Sequence, residues 1–168
     1  LSYRDRPDGL LAIAPHLSYS LDDLSGDFLV IAESVEKPGN LGTILRSADA
    51  VSADAVIVCD RCTDIHNPNV VRASTGTVFT RPVIETEGEK LLNYLRERKF
   101  SIVAATPSAK LEYTQADFKG PVAIVLGTEQ YGLSERWMEG ANVQVRIPML
   151  GCADSLNVAM ATTILLYE

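Results

Sequence analysis

Short runs of apolar residues without polar alternation set the tightest limit on what this chain can fold into. Asp27–Glu33, Ala55–Cys59, Ser101–Ala105 and Pro121–Leu126 are too short for buried helices, and their interiors are apolar at odd and even positions alike. Val143–Ile147 is a fifth strand, this one alternating with Gln144 and Arg146, and Gly9–Ala14 reads as a short sixth. A strand apolar on both faces belongs in a sheet covered on two sides. Helical patterns lie between these runs. Leu41, Ile44, Leu45 and Ala48 form an i, i+3, i+4, i+7 stripe. Glu89–Lys99 turns Leu91, Leu92 and Leu95 one way, Ser134 caps a short helix through Glu139, and the segment from Ser155 onward is apolar nearly all round. Val78–Phe79 and Val83–Ile84 suggest an extended piece interrupted by proline. Strands alternating with helices predict an α/β fold, a mostly parallel sheet with helices on both faces.

With 168 residues the chain is one domain's worth. We read residues 1–168 as a single domain whose ends look like cuts in a longer protein. A net charge of −7 argues against binding nucleic acid by bulk electrostatics. Three cysteines are too few for a disulfide framework, which favours a cytoplasmic setting. Cys59 and Cys62 form a C-x-x-C with His66 nearby. The only other histidine is His16, so no metal site is expected. No apolar run approaches the roughly 20 residues of a membrane span, and no signal peptide opens the chain.

In an open parallel sheet, ligands bind beyond the carboxyl ends of the strands. No G-x-G-x-x-G, no phosphate-binding G-x-x-x-x-G-K-[ST] and no G-x-S-x-G elbow follows any of them. Three other post-strand segments stand out. Glu36–Ala50 holds Asn40, Gly39, Gly42 and Arg46; the glycines permit close backbone approach, and the guanidinium could fork onto a phosphate. A solvated helix arginine above an ordinary loop is the plainer reading. Val125–Ser134 runs from a strand into Gly127, Glu129 and Gly132, which is either a ligand loop or a turn with a helix-capping acid. Arg146–Ala161 leaves a strand through Pro148 and opens an apolar helix at Ser155-Leu156-Asn157. Asp154 or Ser155 is the natural N-cap there, which puts the Asn157 amide one turn into an apolar helix, where it must find partners.

These segments, in this order, resemble the three motifs of the SpoU/TrmH family of RNA ribose 2′-O-methyltransferases in the SPOUT superfamily. Asn40, Gly42, Arg46 and Ala48 match the first motif, and Gly127, Glu129 and Gly132 the second. Ile147–Met149 with Ser155–Val158 match the third. Arg72–Gly76 with Phe79 and Pro82 is also similar to family members. Thr128 stands where the family usually has Asn, and Ala159 where it often has Ser.

The resemblance implies a C-terminal trefoil knot and S-adenosylmethionine as methyl donor, with S-adenosylhomocysteine as product. The donor would be held by Thr106, Leu126, Gly127, Ile147, Met149, Ser155, Leu156 and Asn157. It implies Arg46, Asn40, Glu129, Ser155 and Asn157 as catalytic residues. Arg46 would clamp a phosphate of the target nucleotide. Asn40, Ser155 and Asn157 would orient that nucleotide, and Glu129 would hold its loop or contact RNA. It also implies a homodimer in which each site receives the partner's first-motif arginine, and an RNA-recognition domain before Leu1. The substrate is then RNA, ribosomal ahead of transfer RNA. Arg72, Arg81 and Lys37 fall in segments the family places near RNA, and the acidic surplus predicts weak RNA binding by this piece alone.

Three readings compete. A silent RNA- or donor-binding module is opposed by the joint presence of Arg46, Glu129, Ser155 and Asn157. A base-nitrogen methyltransferase is opposed by the third motif and Arg46. An α/β enzyme with a nucleotide cofactor is opposed by the missing phosphate loop.

Overall fold

The computed structural model describes residues 13, 15–60 and 63–168. Among the described residues, seven strands form one sheet: β1 (Phe28–Glu33), β2 (Ala55–Cys59), β3 (Val83–Thr86), β4 (Ser101–Ala105), β5 (Leu111–Glu112), β6 (Val122–Leu126) and β7 (Val143–Arg146). Their spatial order is β3-β2-β1-β6-β4-β7-β5, and every pairing is parallel. The chain runs outward from β1 to β3 and then crosses to β4 and β5. β6 inserts between β1 and β4, and β7 between β4 and β5.

The absence of polar alternation is explained by two cores, one on each face. Val30, Ala32, Val56, Val58, Ile124 and Leu126 pack with helix α1 (Pro38–Ala50), α2 (Pro68–Ala73) and α5 (Val158–Leu166). Leu29, Ile31, Ala55, Ile57, Ala123 and Val125 pack with α3 (Gly88–Glu97) and α4 (Glu135–Gly140), around a fully buried Trp137. Even and odd positions of one strand thus serve opposite layers.

The strand expected over residues 9–14 falls almost wholly outside the described residues, as does Cys62. Val78–Phe79 is not extended. It forms a 3₁₀ turn over Thr77–Phe79 behind α2. Gly76, at φ 94°, makes the left-handed step into that turn. Helix α2 was not anticipated, although Asn67-Pro68 signals it: the Asn67 carboxamide oxygen accepts from the Asn69 N–H, and Pro68 takes the first helical position. The His16 ring stacks on His66 with centroids 3.9 Å apart. No cluster of His, Cys, Asp and Glu among the described residues could hold a metal. No helix among them is long and apolar enough to cross a membrane.

Gly42 has a packing role rather than a ligand-facing one. A Cβ there would lie 2.4 Å from the Ala73 Cβ and 2.8 Å from the Ser74 nitrogen and the Val70 oxygen, so α1 lies against α2 only without a side chain. A Cβ at Gly39 would meet nothing within 4 Å. Gly42→Ala is therefore expected to lower unfolding free energy by about 1–3 kcal/mol through overpacking. Gly39→Ala is expected to leave it unchanged or raise it by up to about 1 kcal/mol. Urea unfolding of the two variants checks the contrast.

Candidate functional site

The loops leaving β4, β6 and β7 converge on a cavity of about 350 Å³. Thr106, Leu126, Gly127, Ile147, Met149, Ser155 and Leu156 line it, as do Ala105, Tyr131, Val145, Asp154 and Ala161. Most of this wall is apolar, because it is made from strand ends and the first turns of α5. Its polar atoms come from the loops. The Thr106 and Ser108 hydroxyls lie 3.0 Å apart, and the Thr106 N–H donates to the Val145 carbonyl at 2.9 Å.

A second cavity of about 260 Å³ adjoins it, lined by Val35, Glu36, Lys37, Asn40, Thr128, Glu129, Gln130 and Val158. It lies beyond the ends of β1 and β6, where the order in which strands are added switches sides. β1 and β6 are neighbours, but the chain after β1 enters α1 on one face while the chain after β6 leads to α4 on the other. Parting loops open a crevice at such a point. Thr128, Glu129, Gln130 and Val158 belong to both walls.

The second-motif loop is a tight hairpin. Thr128 and Gly132 exchange two backbone hydrogen bonds of 3.0 Å, and the Tyr131 N–H donates to the Thr128 hydroxyl at 2.8 Å. Gly132 takes φ 70° to close the turn. Gly127 is packed against it, since a Cβ there would lie 2.2 Å from the Gly132 oxygen. The downstream end is fixed from below: the buried Glu33 carboxylate at the end of β1 accepts from the Ser134 N–H at 2.9 Å.

Glu129 ties the three motif segments together. One carboxylate oxygen accepts from the side-chain amides of Asn40 and Asn157, the latter at 2.9 Å. The other accepts from the Lys37 ammonium. The Asn157 amide also donates to the Asn40 carbonyl at 3.1 Å. The entry to α1, the β6 hairpin and the entry to α5 thus meet on one carboxylate.

Two expectations about these residues need correction. Helix α5 begins at Val158, so neither Asp154 nor Ser155 caps it. Asn157 is itself the N-cap, exposed, with its carboxamide oxygen accepting from the Ala159 N–H at 3.0 Å. It does not line the larger cavity. Helix α1 begins earlier than expected, at Pro38, which puts Asn40 in its first turn and Arg46 two turns further on. Arg46 lines neither cavity. It is exposed and makes no hydrogen bond or ion pair among the described residues. Sequence reasoning placed Lys37 near the site without a partner and did not single out Glu33. An exposed cation three residues before a motif gives no partner signal, whereas an acid ending an apolar strand is the kind of exception that could have been pursued.

The SpoU rRNA Methylase family model matches residues 27–167. The chain is 36% identical over 173 residues to a 23S rRNA (guanosine-2'-O-)-methyltransferase RlmB from Ralstonia nicotianae, covering 98% of this chain and 69% of that protein. It is 35% identical over 149 residues to a 23S rRNA (uridine(2479)-2'-O)-methyltransferase from Streptomyces viridochromogenes, covering 84% of this chain and 52% of that protein. Among solved structures it resembles an AdoMet-bound rRNA methyltransferase from Sinorhizobium meliloti with a TM-score of 0.82 at 38% identity, covering 84% of this chain and 55% of that one. The chain thus spans between about half and about two thirds of the length of these relatives.

Replacing Glu129 by Ala leaves three donors without their common acceptor. Amide exchange of the 128–132 hairpin is expected to accelerate roughly tenfold while that of β1 and β6 is unchanged. Hydrogen–deuterium exchange read by mass spectrometry checks this.

Proposed function

The chain belongs to the SpoU rRNA methylase family, and from that premise we propose that it transfers a methyl group from S-adenosylmethionine to a ribose 2′-hydroxyl of RNA, ribosomal RNA ahead of transfer RNA. The observation that carries this is the pair of adjoining cavities joined at Glu129. One is mostly apolar and sized for a cofactor; the other, smaller, is flanked by Lys37 and Asn40. Cofactor pockets of roughly 300–1,000 Å³ with apolar walls and a few placed polar groups are the general pattern. The larger cavity fits it.

Leu126, Ile147 and Leu156 would give the adenine an apolar slot, and the backbone at Thr106 and Gly127 would bond its edge. Asp154 and Ser155 supply polar groups at the same wall, the carboxylate suiting a cationic ligand. The bound donor supplies a methyl group on a positively charged sulfur, already activated toward an oxygen. The protein's part is positioning. Asn40 and Asn157, held by Glu129, would fix the nucleotide in the second cavity. The 2′-hydroxyl proton must leave as the oxygen–carbon bond forms. Arg46 stays charged and is a poor base. It would clamp a phosphate, which with the Ser155 hydroxyl would take up the proton.

Arg46 reaches neither cavity of its own chain, which supports a homodimer with shared sites. α5 is apolar nearly all round and leaves Met160 exposed, with the exposed Tyr167 at its end. It packs on α1, where the Ser47 and Thr163 hydroxyls are 2.8 Å apart. A second copy seated on this face would cover that surface and bring Arg46 to the partner's site. Family membership also supports a trefoil-knotted thread through the loops after β4, β6 and β7, and an RNA substrate goes with a cytoplasmic setting.

Arg46→Ala is expected to lower methyl transfer to a ribosomal RNA transcript by about 100-fold or more with donor affinity intact. The product should resist alkaline cleavage at the modified linkage. Mixing Arg46→Ala with Asn157→Ala protein should restore about a quarter of the sites, since half the dimers carry one intact pair. Near-normal turnover by Arg46→Ala would sink the assignment, and lack of recovery in mixed dimers would sink the shared site.

A further inference from the structure

Tyr131 is 81% exposed at the tip of the 128–132 hairpin, yet it lines the larger cavity. A lone exposed aromatic on a loose loop would mean little. This one is held. Its own N–H is bonded to the Thr128 hydroxyl, its turn is closed by two backbone hydrogen bonds, and its hairpin is fixed at Ser134 by Glu33 and at Glu129 by Lys37, Asn40 and Asn157. These bonds fix the hairpin backbone that carries the ring at the mouth of the cavity, and the tyrosine hydroxyl has no hydrogen-bond partner among the described residues.

We propose that the Tyr131 ring is a stacking platform for an unpaired nucleobase of the substrate RNA, next to the nucleotide that receives the methyl group. This rests on the methyltransferase reading above and adds the residue that holds the strand. A nucleobase stacked on an aromatic face gains affinity without a charge. That matters here, because a net charge of −7 leaves the protein little long-range attraction for a phosphate backbone. Single-stranded RNA exposes the bases that such a ring can take, while a duplex keeps them stacked on each other. A ring carried on an already ordered hairpin has only its own rotamer to lose when the base arrives.

The test measures binding of a fluorescein-labelled single-stranded oligoribonucleotide of about 12 residues by anisotropy, from about 50 to about 300 mM KCl. S-adenosylmethionine affinity is measured in parallel by calorimetry. Tyr131→Ala and Tyr131→Leu should weaken RNA binding by about 5- to 100-fold at every salt concentration, leaving the slope of log affinity against log salt unchanged. Tyr131→Phe should bind like the parent. The thermal midpoint should not move in any of the three, and Tyr131→Ala should lower donor affinity by less than it lowers RNA affinity, since the ring also borders the larger cavity. The proposal is overturned if Tyr131→Ala binds RNA normally, if Leu serves as well as Tyr, if the salt slope changes, or if donor affinity falls while RNA binding does not. A parent protein that binds RNA through this ring but transfers no methyl group would overturn the methyltransferase reading and leave the platform standing.

Discussion

Burial of both faces of the central strands governs everything else in this molecule. Val30 and Ile31 are neighbours in sequence and belong to different cores. No polar side chain can leave β1 or β6 sideways without entering one of them, and a buried polar group without a partner is costly. Chemistry is therefore confined to the strand ends. The one carboxylate within β1, Glu33, sits at its last position, where a backbone N–H of the neighbouring loop reaches it.

That confinement explains why a few side-chain contacts organise the site. The post-strand loops are short and emerge side by side, so residues 89 and 117 positions apart in the chain come within hydrogen-bonding distance. Glu129 accepts from the other two segments because it stands at the crevice where β1 and β6 send their chains to opposite faces. Its carboxylate and the Lys37 ammonium are both solvent-accessible, 26% and 71% exposed as side chains, so the ion pair itself adds little to global stability. Its effect is local: it sets the hairpin's position relative to α1 and α5.

How much of this could be read from residues alone depended on whether the physical signal was local. The strands were legible because apolar runs of that length on both faces have few other uses. Leu91, Leu92 and Leu95 were legible by helical spacing, and all three are buried. The start of α5 was misread because Asp154 and Ser155 are good caps in the abstract; the Glu129 and Asn40 side chains hold Asn157 at the helix entry instead. Val78–Phe79 looked extended by composition, but Gly76 sets a left-handed step and the backbone curls into a turn. The cavity residues were legible only through the motifs, since an apolar wall built from strand ends looks like core. The non-sequential insertion of β6 and β7 left no local mark at all.

The wall between the two cavities is one layer thick, made of Thr128, Glu129, Gln130 and Val158. Two ligands that touch the same four residues are coupled to the extent that either one displaces them. Whatever stiffens or shifts the partition when one side fills changes the affinity of the other, and the change is the same factor in both directions. On the proposed function, a spent donor and a fresh one would be felt by the RNA as different proteins, through the few residues the two cavities share.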